Sequence, residues 1–428
     1  MKTVLLSLVL LAVGSPAFAG TDAVLAWNQT AASAGFAAGL DNEQGCVDPL
    51  HESRMFAMMH VASHDALNAI DRRFAPYVLD TRVSAAASPE AAVAAAAHAV
   101  LIAVLPELPA EIGATPAAAI ALADAAYTAA LAAIPDSAAK TEGILIGQAA
   151  ARAIIALRTG DGAEAQFLDF GYVPGPDPGD FQFVPGTDFV AAPMWGEVMP
   201  FALRAGTQFR SQPPYRVSGK KYAADFNEVK SLGAADSTTR TADQTEIAVF
   251  WVEGIPQAFN RIARTVSVAS GLDLWENARL FALMNMASAD GYIADFAMKY
   301  TYHFWRPVSA IHAADADGNP ATDGDSTWTP LRGTPPAPDH TSGHSVNGAA
   351  MAEVLARFFG TDAVGFSTSS TTLPGVTRFF ASFSEAAEEN ADSRVYFGFH
   401  FRHAVMEGLK LGTKVGRFTF THYLKPVH

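Results

Sequence analysis

The sequence predicts an all-α protein built from packed helical bundles with long Pro/Gly-rich loops. Alanine and leucine dominate residues 89–157, with prolines and glycines at the breaks. Ile120, Ala123 and Tyr127 illustrate the apolar spacing of three and four positions there, which is that of one helix face. The stretch 55–70 has the same character, and strand-like alternation is sparse. Helices that each bury one apolar face predict a bundle.

The first segment, residues 1–19, has the pattern of an export signal. Lys2 gives a positive start, 4–13 is a short apolar run, and Ala17-Phe18-Ala19 is a small-residue cleavage pattern. An apolar run of roughly ten residues is too short to span a bilayer, so we expect cleavage instead of anchoring. The mature chain, 20–428, is expected to be periplasmic or secreted, without a membrane span.

The composition and net charge of the chain argue against some classes of partner and of catalytic chemistry. The chain has 428 residues, of which half are apolar, and a net charge of −14. This acidic balance argues against nucleic acid and anionic membranes as partners, although a local cationic pocket can still bind an anion. Cys46 is the only cysteine, so no intrachain disulfide is possible, and no cationic neighbour in sequence activates it as a nucleophile.

The length predicts one large helical domain, 20–428. We expect a helical N-terminal half of about 20–240 and a C-terminal half of about 241–428 that carries the chemistry. Residues 171–200 contain six of the 25 prolines, and a loop of that length is often functional, as a surface wrap or a cleft rim. A second loop, 315–338, begins like a calcium loop but lacks its glycine and closing glutamate, which indicates a solvated turn.

Lys299 and Arg306 are the first candidate functional residues of the C-terminal half. Residues 274–306 are predicted to be helical, capped by Asp273 and stopped by Pro307. Seven residues turn a helix through about 700°, so Lys299 and Arg306 are predicted to share a face. Stacked cations repel unless an anion lies between them, whereas a solvated pair at a helix C-terminus explains this pair taken alone.

A serine, a glycine and a histidine precede the next helix. Ser342, Gly343 and His344 stand directly before the apolar-periodic stretch 346–359. Thr341 or Ser342 is predicted to cap this helix, and its free N–H groups can bind an oxyanion. Capping needs neither Gly343 nor His344, and a glycine lets a ligand approach the backbone. The presence of Gly343 and His344 therefore favours a functional role for this segment beyond helix capping.

The last segment runs from Ser393-Arg394 to His400 in an aromatic context. On a regular helix Arg394 and His400 would lie about 240° apart. The prediction is therefore that Arg394 lies at a helix start or that Gly398 breaks the helix. Aromatic neighbours would also suit a core histidine at 400.

These segments together resemble the three-part signature of the vanadium-dependent haloperoxidases. Lys299-x6-Arg306-Pro307, then Ser-Gly-His, then Ser-Arg-x5-His is also the signature of type 2 phosphatidic acid phosphatases and bacterial acid phosphatases. The gaps fit as well, with 36 positions from Arg306 to Ser342 and 50 from His344 to Arg394. Upstream, 193–201, 222–230 and 250–251 look like the bacterial haloperoxidase-like branch. The family implies helical bundles.

The resemblance implies a role for each residue. His400 would bond to vanadium, or attack phosphorus in a phosphatase, and His344 would be the general acid–base. Hydrogen peroxide and a halide would be the substrates of a haloperoxidase, with vanadate as cofactor and Lys299 polarising the bound peroxide. The implied oxyanion ligands are Lys299, Arg306, Ser342, Gly343 and Arg394.

An acid phosphatase acting on phosphate monoesters through a phosphohistidine at His400 is the alternative. Such phosphatases usually carry an aspartate four residues after that histidine, and here the position is Ala404. An aspartate would orient the imidazole and stabilise its charged form, so its loss favours the haloperoxidase. Glu407 is the candidate substitute. A non-enzymatic helical envelope protein without tight oxyanion binding is a third alternative.

Some features stay open at this stage. His60 and His64 have the spacing of a metal-binding pair on a helix, but without a third ligand nearby we expect core roles. The halide, the organic substrate and the role of Cys46 are not specified, and a homo-oligomer is compatible with the sequence.

Overall fold

The structure, a computed structural model, describes residues 22–427. Within that range the chain forms thirteen α-helices and three short antiparallel strand pairs, which confirms the all-α prediction. The predicted export signal, 1–19, lies outside the described residues.

The elements follow one another in two groups of helices. The N-terminal helices are α1 (Ala23–Ala38), α2 (Pro49–Ile70), α3 (Pro89–Val104), α4 (Pro116–Ala132), α5 (Ala138–Arg158) and α6 (Lys220–Leu232). The C-terminal helices are α7 (Ala242–Phe250), α8 (Ile255–Ser270), α9 (Leu274–Tyr302), α10 (Pro307–Ala313), α11 (Gly343–Phe359), α12 (Phe383–Tyr396) and α13 (Arg402–His422). The strand pairs are β1 (Asp41–Asn42) with β2 (Gly45–Cys46), β3 (Leu168–Asp169) with β4 (Val190–Ala191), and β5 (Phe366–Ser369) with β6 (Thr377–Phe380).

Local sequence signals account for the helix ends. Ser88 and Asp48 accept hydrogen bonds from first-turn N–H groups of α3 and α2, each followed by a proline in the first turn. Asp273 caps α9 and forms a capping box with Glu276, as predicted for Asp273. The breaks expected between 104 and 138 separate α3, α4 and α5.

Helix α9 is the central element of the core. It packs against α2, α11 and α13 and is buried on all faces along most of its length. Helix α13 approaches α11 closely through Gly408, Gly412 and Gly416, where a side chain would collide with α11; at Gly408 a Cβ would lie 2.8 Å from that of Ser345. This close packing brings the start of α13, and the chain before it, against the start of α11.

The predicted helix through Arg306 ends early. Helix α9 stops at Tyr302 because residues 303–305 leave it to pair with the loop at 179–181: the Phe181 N–H donates to the His303 carbonyl (2.6 Å) and the Trp305 N–H to the Gly179 carbonyl (3.0 Å). Arg306 then precedes α10 in an extended conformation. The prediction that Lys299 and Arg306 share a helix face was therefore wrong.

The alternative left open at 394–400 is decided by Gly398. This residue has φ +84°, a left-handed conformation that favours glycine, and it separates α12 from α13. Arg394 therefore belongs to the last turn of α12, and His400 lies beyond the break.

Among the described helices, one segment, Pro89–Glu107, is long and apolar enough to cross a membrane, and 61% of its most apolar stretch is buried in the protein.

Candidate oxyanion-binding site

One cavity of about 370 Å³ gathers most of the predicted site residues. Six of the seven line it, namely Lys299, Arg306, Gly343, His344, Arg394 and His400. The seventh, Ser342, stands directly before α11 and is buried. Residues more than a hundred positions apart thus meet at one point, as the three motifs predicted.

Lys299 comes from the last turn of α9 and is 3% exposed. Its ammonium group donates to the carbonyls of Pro338 (2.9 Å), Asp339 (3.2 Å) and Thr341 (2.5 Å). Burial lowers the pKa of Lys299 to about 8, with the Asp295 carboxyl opposing the shift. Since all three N–H groups are engaged, Lys299 fixes the chain before α11 and contributes charge to the cavity.

Arg306 connects the same loop to His400. Its Nε donates to the Ala337 carbonyl (2.6 Å) and its Nη1 to the Phe399 carbonyl (3.0 Å). Nη1 also lies 3.0 Å from Nε2 and 3.3 Å from Nδ1 of His400. Burial lowers the pKa of Arg306, but an arginine keeps its charge at neutral pH.

Arg394 is the least satisfied cation of the site. Its Nε donates to the Ser393 hydroxyl (3.1 Å), whereas its Nη2 is buried without a hydrogen-bond partner. The guanidinium lies 5.5 and 5.4 Å from the ring centres of Phe397 and Phe399. Burial lowers its pKa to about 9. A buried charged donor without a partner is unfavourable, which indicates a ligand site.

The start of α11 adds two more unpartnered polar atoms. Ser342 occupies the cap position, yet its hydroxyl makes no capping bond and is buried without a partner, so the predicted capping role is wrong for its side chain. His344 Nε2 is likewise buried and unpartnered. Burial, with the Arg394 charge, lowers the pKa of His344 well below its ordinary value. The ring is therefore neutral in the free protein.

His400 is held by a carboxyl group that the sequence had not indicated. Its Nδ1 lies 2.9 Å from Asp339 Oδ1, which fixes the proton on Nδ1 and leaves Nε2 with a lone pair. Burial, with the Arg306 and Lys299 charges, lowers the pKa of His400 well below its ordinary value. Burial raises the pKa of Asp339 to about 7, opposed by Arg306 and Lys299.

Glu407 does not replace the missing aspartate. Its carboxylate accepts from the Gln212 N–H (2.8 Å) and pairs with Lys410 (2.8 Å). The prediction of Glu407 as the substitute was wrong, because both of its oxygens are bound by other partners and His400 Nδ1 contacts Asp339 instead.

Two long loops contribute to the cavity. Phe189 and Ala191 of the 171–200 loop line it, consistent with a cleft rim, and residues 335–337 line it from the second loop. Asp315 and Asp317 accept backbone N–H groups of their own loop, which agrees with a turn.

Sequence reasoning missed several lining residues. Asp295, four positions before Lys299 on α9, could have been found by helical spacing. Tyr292 and Phe296, seven and three positions before Lys299 on α9, could have been found in the same way. Cys46, Leu50 and Phe167 come from separate segments and carried no sequence signal. Cys46 lies in the cavity wall, where burial raises the pKa of its thiol.

The other candidate histidines have structural partners. His60 is buried and contacts Asn28 Nδ2 at 2.8 Å, and His64 Nδ1 lies 3.1 Å from Asp65. Between residues 22 and 427, no group of three metal-binding side chains of the His, Cys, Asp and Glu types is present. The core roles expected for His60 and His64 fit these contacts.

Comparisons with known proteins agree with the motifs. Residues 279–428 match the family described as the VCPO second helical-bundle domain. A stretch of 201 residues is 26% identical to the vanadium chloroperoxidase of Curvularia inaequalis, covering 39% of this chain and only 32% of that protein's length. The resemblance to vanadium haloperoxidases predicted from the motifs is thereby confirmed.

The fold is shared over nearly the whole chain. The crystal structure of the first bacterial vanadium-dependent iodoperoxidase superposes with a TM-score of 0.78 at 23% identity, covering 95% of this chain and 98% of that one. A holo-type bacterial vanadium-dependent chloroperoxidase superposes with a TM-score of 0.70 at 17% identity, covering 88% of this chain and 92% of that one.

Proposed function

We propose, from the resemblance of its C-terminal bundle to that of the vanadium chloroperoxidases, that this chain is an exported vanadate-dependent haloperoxidase-like enzyme. It would oxidise a halide with hydrogen peroxide. The observation that carries the proposal is a pair of buried, unpartnered polar atoms, His344 Nε2 and Arg394 Nη2, on residues that line the cavity together with His400. Ser342 Oγ, at the start of α11 beside the lining residue Gly343, is also buried without a partner. An oxyanion would satisfy the hydroxyl and the guanidinium.

The residues present fit vanadate. Arg394 Nη2, Ser342 Oγ and the first N–H groups of α11 would hold its oxygens, and His400 Nε2 would be the ligand to vanadium. Lys299 and Arg306 would balance its negative charge from their fixed positions. When bound, vanadate supplies a Lewis-acidic centre that activates hydrogen peroxide toward a halide.

The protein's own residues manage the protons. Burial and Arg394 lower the pKa of His344, whereas a bound anion would favour its protonated form. With the anion bound, its unpartnered Nε2 would accept a proton from entering peroxide and return it to the leaving oxygen. Asp339 keeps the His400 proton on Nδ1, away from the oxyanion. Apolar side chains that line the cavity, including Leu50, Phe167 and Phe296, would limit water at the site.

A second candidate function is supported by the contact of Asp339 with His400. Position 404 is alanine instead of aspartate, and this favoured the haloperoxidase. Asp339, however, supplies an orienting carboxyl from another segment. That pairing also suits a phosphohistidine route, because a carboxyl stabilises the imidazolium that would leave phosphorus. Acid phosphatase activity on phosphate monoesters therefore belongs in the same test.

The deciding experiment is halide oxidation by hydrogen peroxide, measured for iodide, bromide and chloride with and without added vanadate. We expect oxidation that depends on vanadate and is inhibited by phosphate. Both anions would bind the same oxyanion cage, which we define as Lys299, Arg306, Ser342, Gly343 and Arg394. Release of nitrophenol from p-nitrophenyl phosphate, inhibited by vanadate and without halide oxidation, would instead establish the phosphatase.

Two variants test the roles within the site. His400→Ala should lose vanadate affinity, and His344→Ala should retain binding but lose turnover. Vanadate-dependent halide oxidation that persists in His400→Ala would contradict the proposal. An unchanged melting temperature of the wild-type protein in vanadate would favour a non-enzymatic protein, since a ligand at about 100 times its dissociation constant adds roughly 2.7 kcal/mol of stability.

Export is part of the same proposal. It is supported by the pattern of residues 1–19. Fractionation of expressing cells, with N-terminal sequencing of the recovered protein, should place the mature chain outside the cytoplasm with a start near residue 20.

A further inference from the structure

A carboxyl group lies inside the cavity where an anion is expected to bind. Asp295 is about one turn from both Tyr292 and Lys299 on α9, is 0% exposed, and lines the same cavity as these residues. Its Oδ1 accepts from the Thr341 hydroxyl (2.7 Å). Its Oδ2 is buried without a hydrogen-bond partner. An ionised carboxylate here would repel the oxyanion that the neighbouring cations attract.

The free oxygen points at the start of α11. A Cβ added to Gly343 would lie 3.0 Å from Asp295 Oδ2, so this oxygen lies beside the backbone groups expected to hold the oxyanion. Lys299 Nζ is 3.8 Å from Oδ2, and its three N–H groups are engaged by carbonyls. A carboxyl that carries a proton on Oδ2 would satisfy this oxygen by donating to a bound anion.

We propose that Asp295 is a proton-donating ligand of the oxyanion, which binds together with one proton taken up at Oδ2. This inference rests on the proposed oxyanion cage, but it holds for vanadate and phosphate alike. The proton comes from solvent, no covalent bond of the protein changes, and the O–H of the carboxyl donates to an oxygen of the anion. Tight binding is thereby linked to proton uptake.

The surroundings favour protonation of the carboxyl when an anion binds. Burial raises the pKa of Asp295, while Lys299, the Thr341 hydroxyl and Arg306 oppose the shift. An arriving anion would add to the rise, because a like charge nearby disfavours a second one. The other titratable groups around it are Cys46, Tyr292, Asp339, His344, Arg394 and His400.

The test is calorimetry of inorganic phosphate binding to the full chain, in two buffers of different ionisation enthalpy near neutral pH. The difference in heat gives the protons taken up per phosphate bound. Wild-type protein should take up about one proton more than Asp295→Asn, whose amide donates a hydrogen bond without titrating. Asp295→Asn should also bind phosphate more tightly than wild type at alkaline pH, and about equally at acidic pH.

Asp290→Asn is the matched control, since Asp290 is a buried carboxyl five positions earlier on the same helix. It accepts from three backbone N–H groups at 2.6–2.8 Å and does not line the cavity. Its proton uptake on phosphate binding should equal that of wild type.

Equal proton uptake by wild type and Asp295→Asn would overturn the inference. Should Asp295→Asn not fold, the wild type alone decides by infrared difference spectroscopy: phosphate binding must produce a protonated-carboxyl band that shifts in deuterated water. Absence of that band overturns the inference. Neither readout requires halide oxidation, so failure of Asp295 and failure of the haloperoxidase proposal remain distinguishable.

Discussion

Two clusters of buried arginine lie within residues 22–427, and they differ in how their polar atoms are satisfied. Arg158 donates to Asp161 (2.8 Å) and to the carbonyls of Met199 and Pro200, and Arg54 donates to Asp161 (2.9 Å). Both line a cavity of about 420 Å³, slightly larger than the oxyanion cavity. Arg394, by contrast, keeps an unpartnered Nη2.

The comparison teaches that neither burial nor cavity size identifies the ligand site. The Arg54–Arg158 cluster has a carboxylate and carbonyls for its donors, so folding completes it. The cage around Arg394 combines cations with unpartnered donors, so a ligand completes it. Incomplete hydrogen bonding of buried charged groups is therefore the distinguishing property.

The largest effect is expected for a substitution in the Arg54–Arg158 cluster, where it should lower the stability of the protein. Arg158→Met removes one partner of a buried ion pair and should lower the free energy of unfolding by about 3–5 kcal/mol. Phosphate affinity of the folded fraction should not change. Denaturant unfolding and phosphate calorimetry measure the two quantities, and a loss of affinity at unchanged stability would break the contrast.

The matched substitution in the cage, at Arg394, should lower phosphate affinity and leave stability intact. Arg394→Met should weaken phosphate binding by about 10–100-fold, the value of a hydrogen bond to a charged group. The free energy of unfolding should stay equal or rise, because the removed cation has an unpartnered nitrogen. If Arg394→Met instead destabilised the protein as Arg158→Met does, both clusters would be structural.

Asp339 tests whether the cage depends on an orienting carboxyl. Asp339→Ala removes the partner of His400 Nδ1 and should lower vanadate affinity by about tenfold, as for other residues that position a metal ligand. Vanadate binding by calorimetry checks it, and an unaltered affinity would show that His400 is held without Asp339.

Titration of Lys299 should change phosphate affinity by a smaller factor than the Asp339 substitution changes vanadate affinity. Its pKa is lowered to about 8, so the cation is present below that pH and is lost as the pH rises through it. Phosphate affinity should fall by about fourfold between about pH 7 and pH 8.5 from this group. Lys299→Arg keeps its charge over this range, so an equal fall in that variant would exclude Lys299 as the cause.

The smallest effect is expected at Glu407. Glu407→Gln changes a carboxylate bound to Gln212 and Lys410, away from His400. Phosphate affinity should change by less than about twofold, because Glu407 and its partners do not line the oxyanion cavity. A drop comparable to that of Asp339→Ala would return Glu407 to the site.

Much of the candidate site could be predicted from short motifs, because residues such as Ser342, Gly343 and His344 are adjacent in the chain. Asp339 was not identified as the partner of His400, since the two are 61 positions apart and only the packing of α13 against α11 brings them together. The path from Lys299 to Arg306 was mispredicted for a related reason. The contacts that end α9 come from the distant loop at 179–181.

By itself, the sequence determined the helical architecture, the main helix breaks and the residue types of an anion site, because helical spacing, caps and motif order are local properties. Only the tertiary structure decided which of those groups are left without partners. It placed Asp295 and Asp339 among the cations, and it satisfied Arg158 while leaving Arg394 open. The physical reason is that hydrogen-bond satisfaction in a buried site depends on segments far apart in the chain, so it is fixed only when the helices pack.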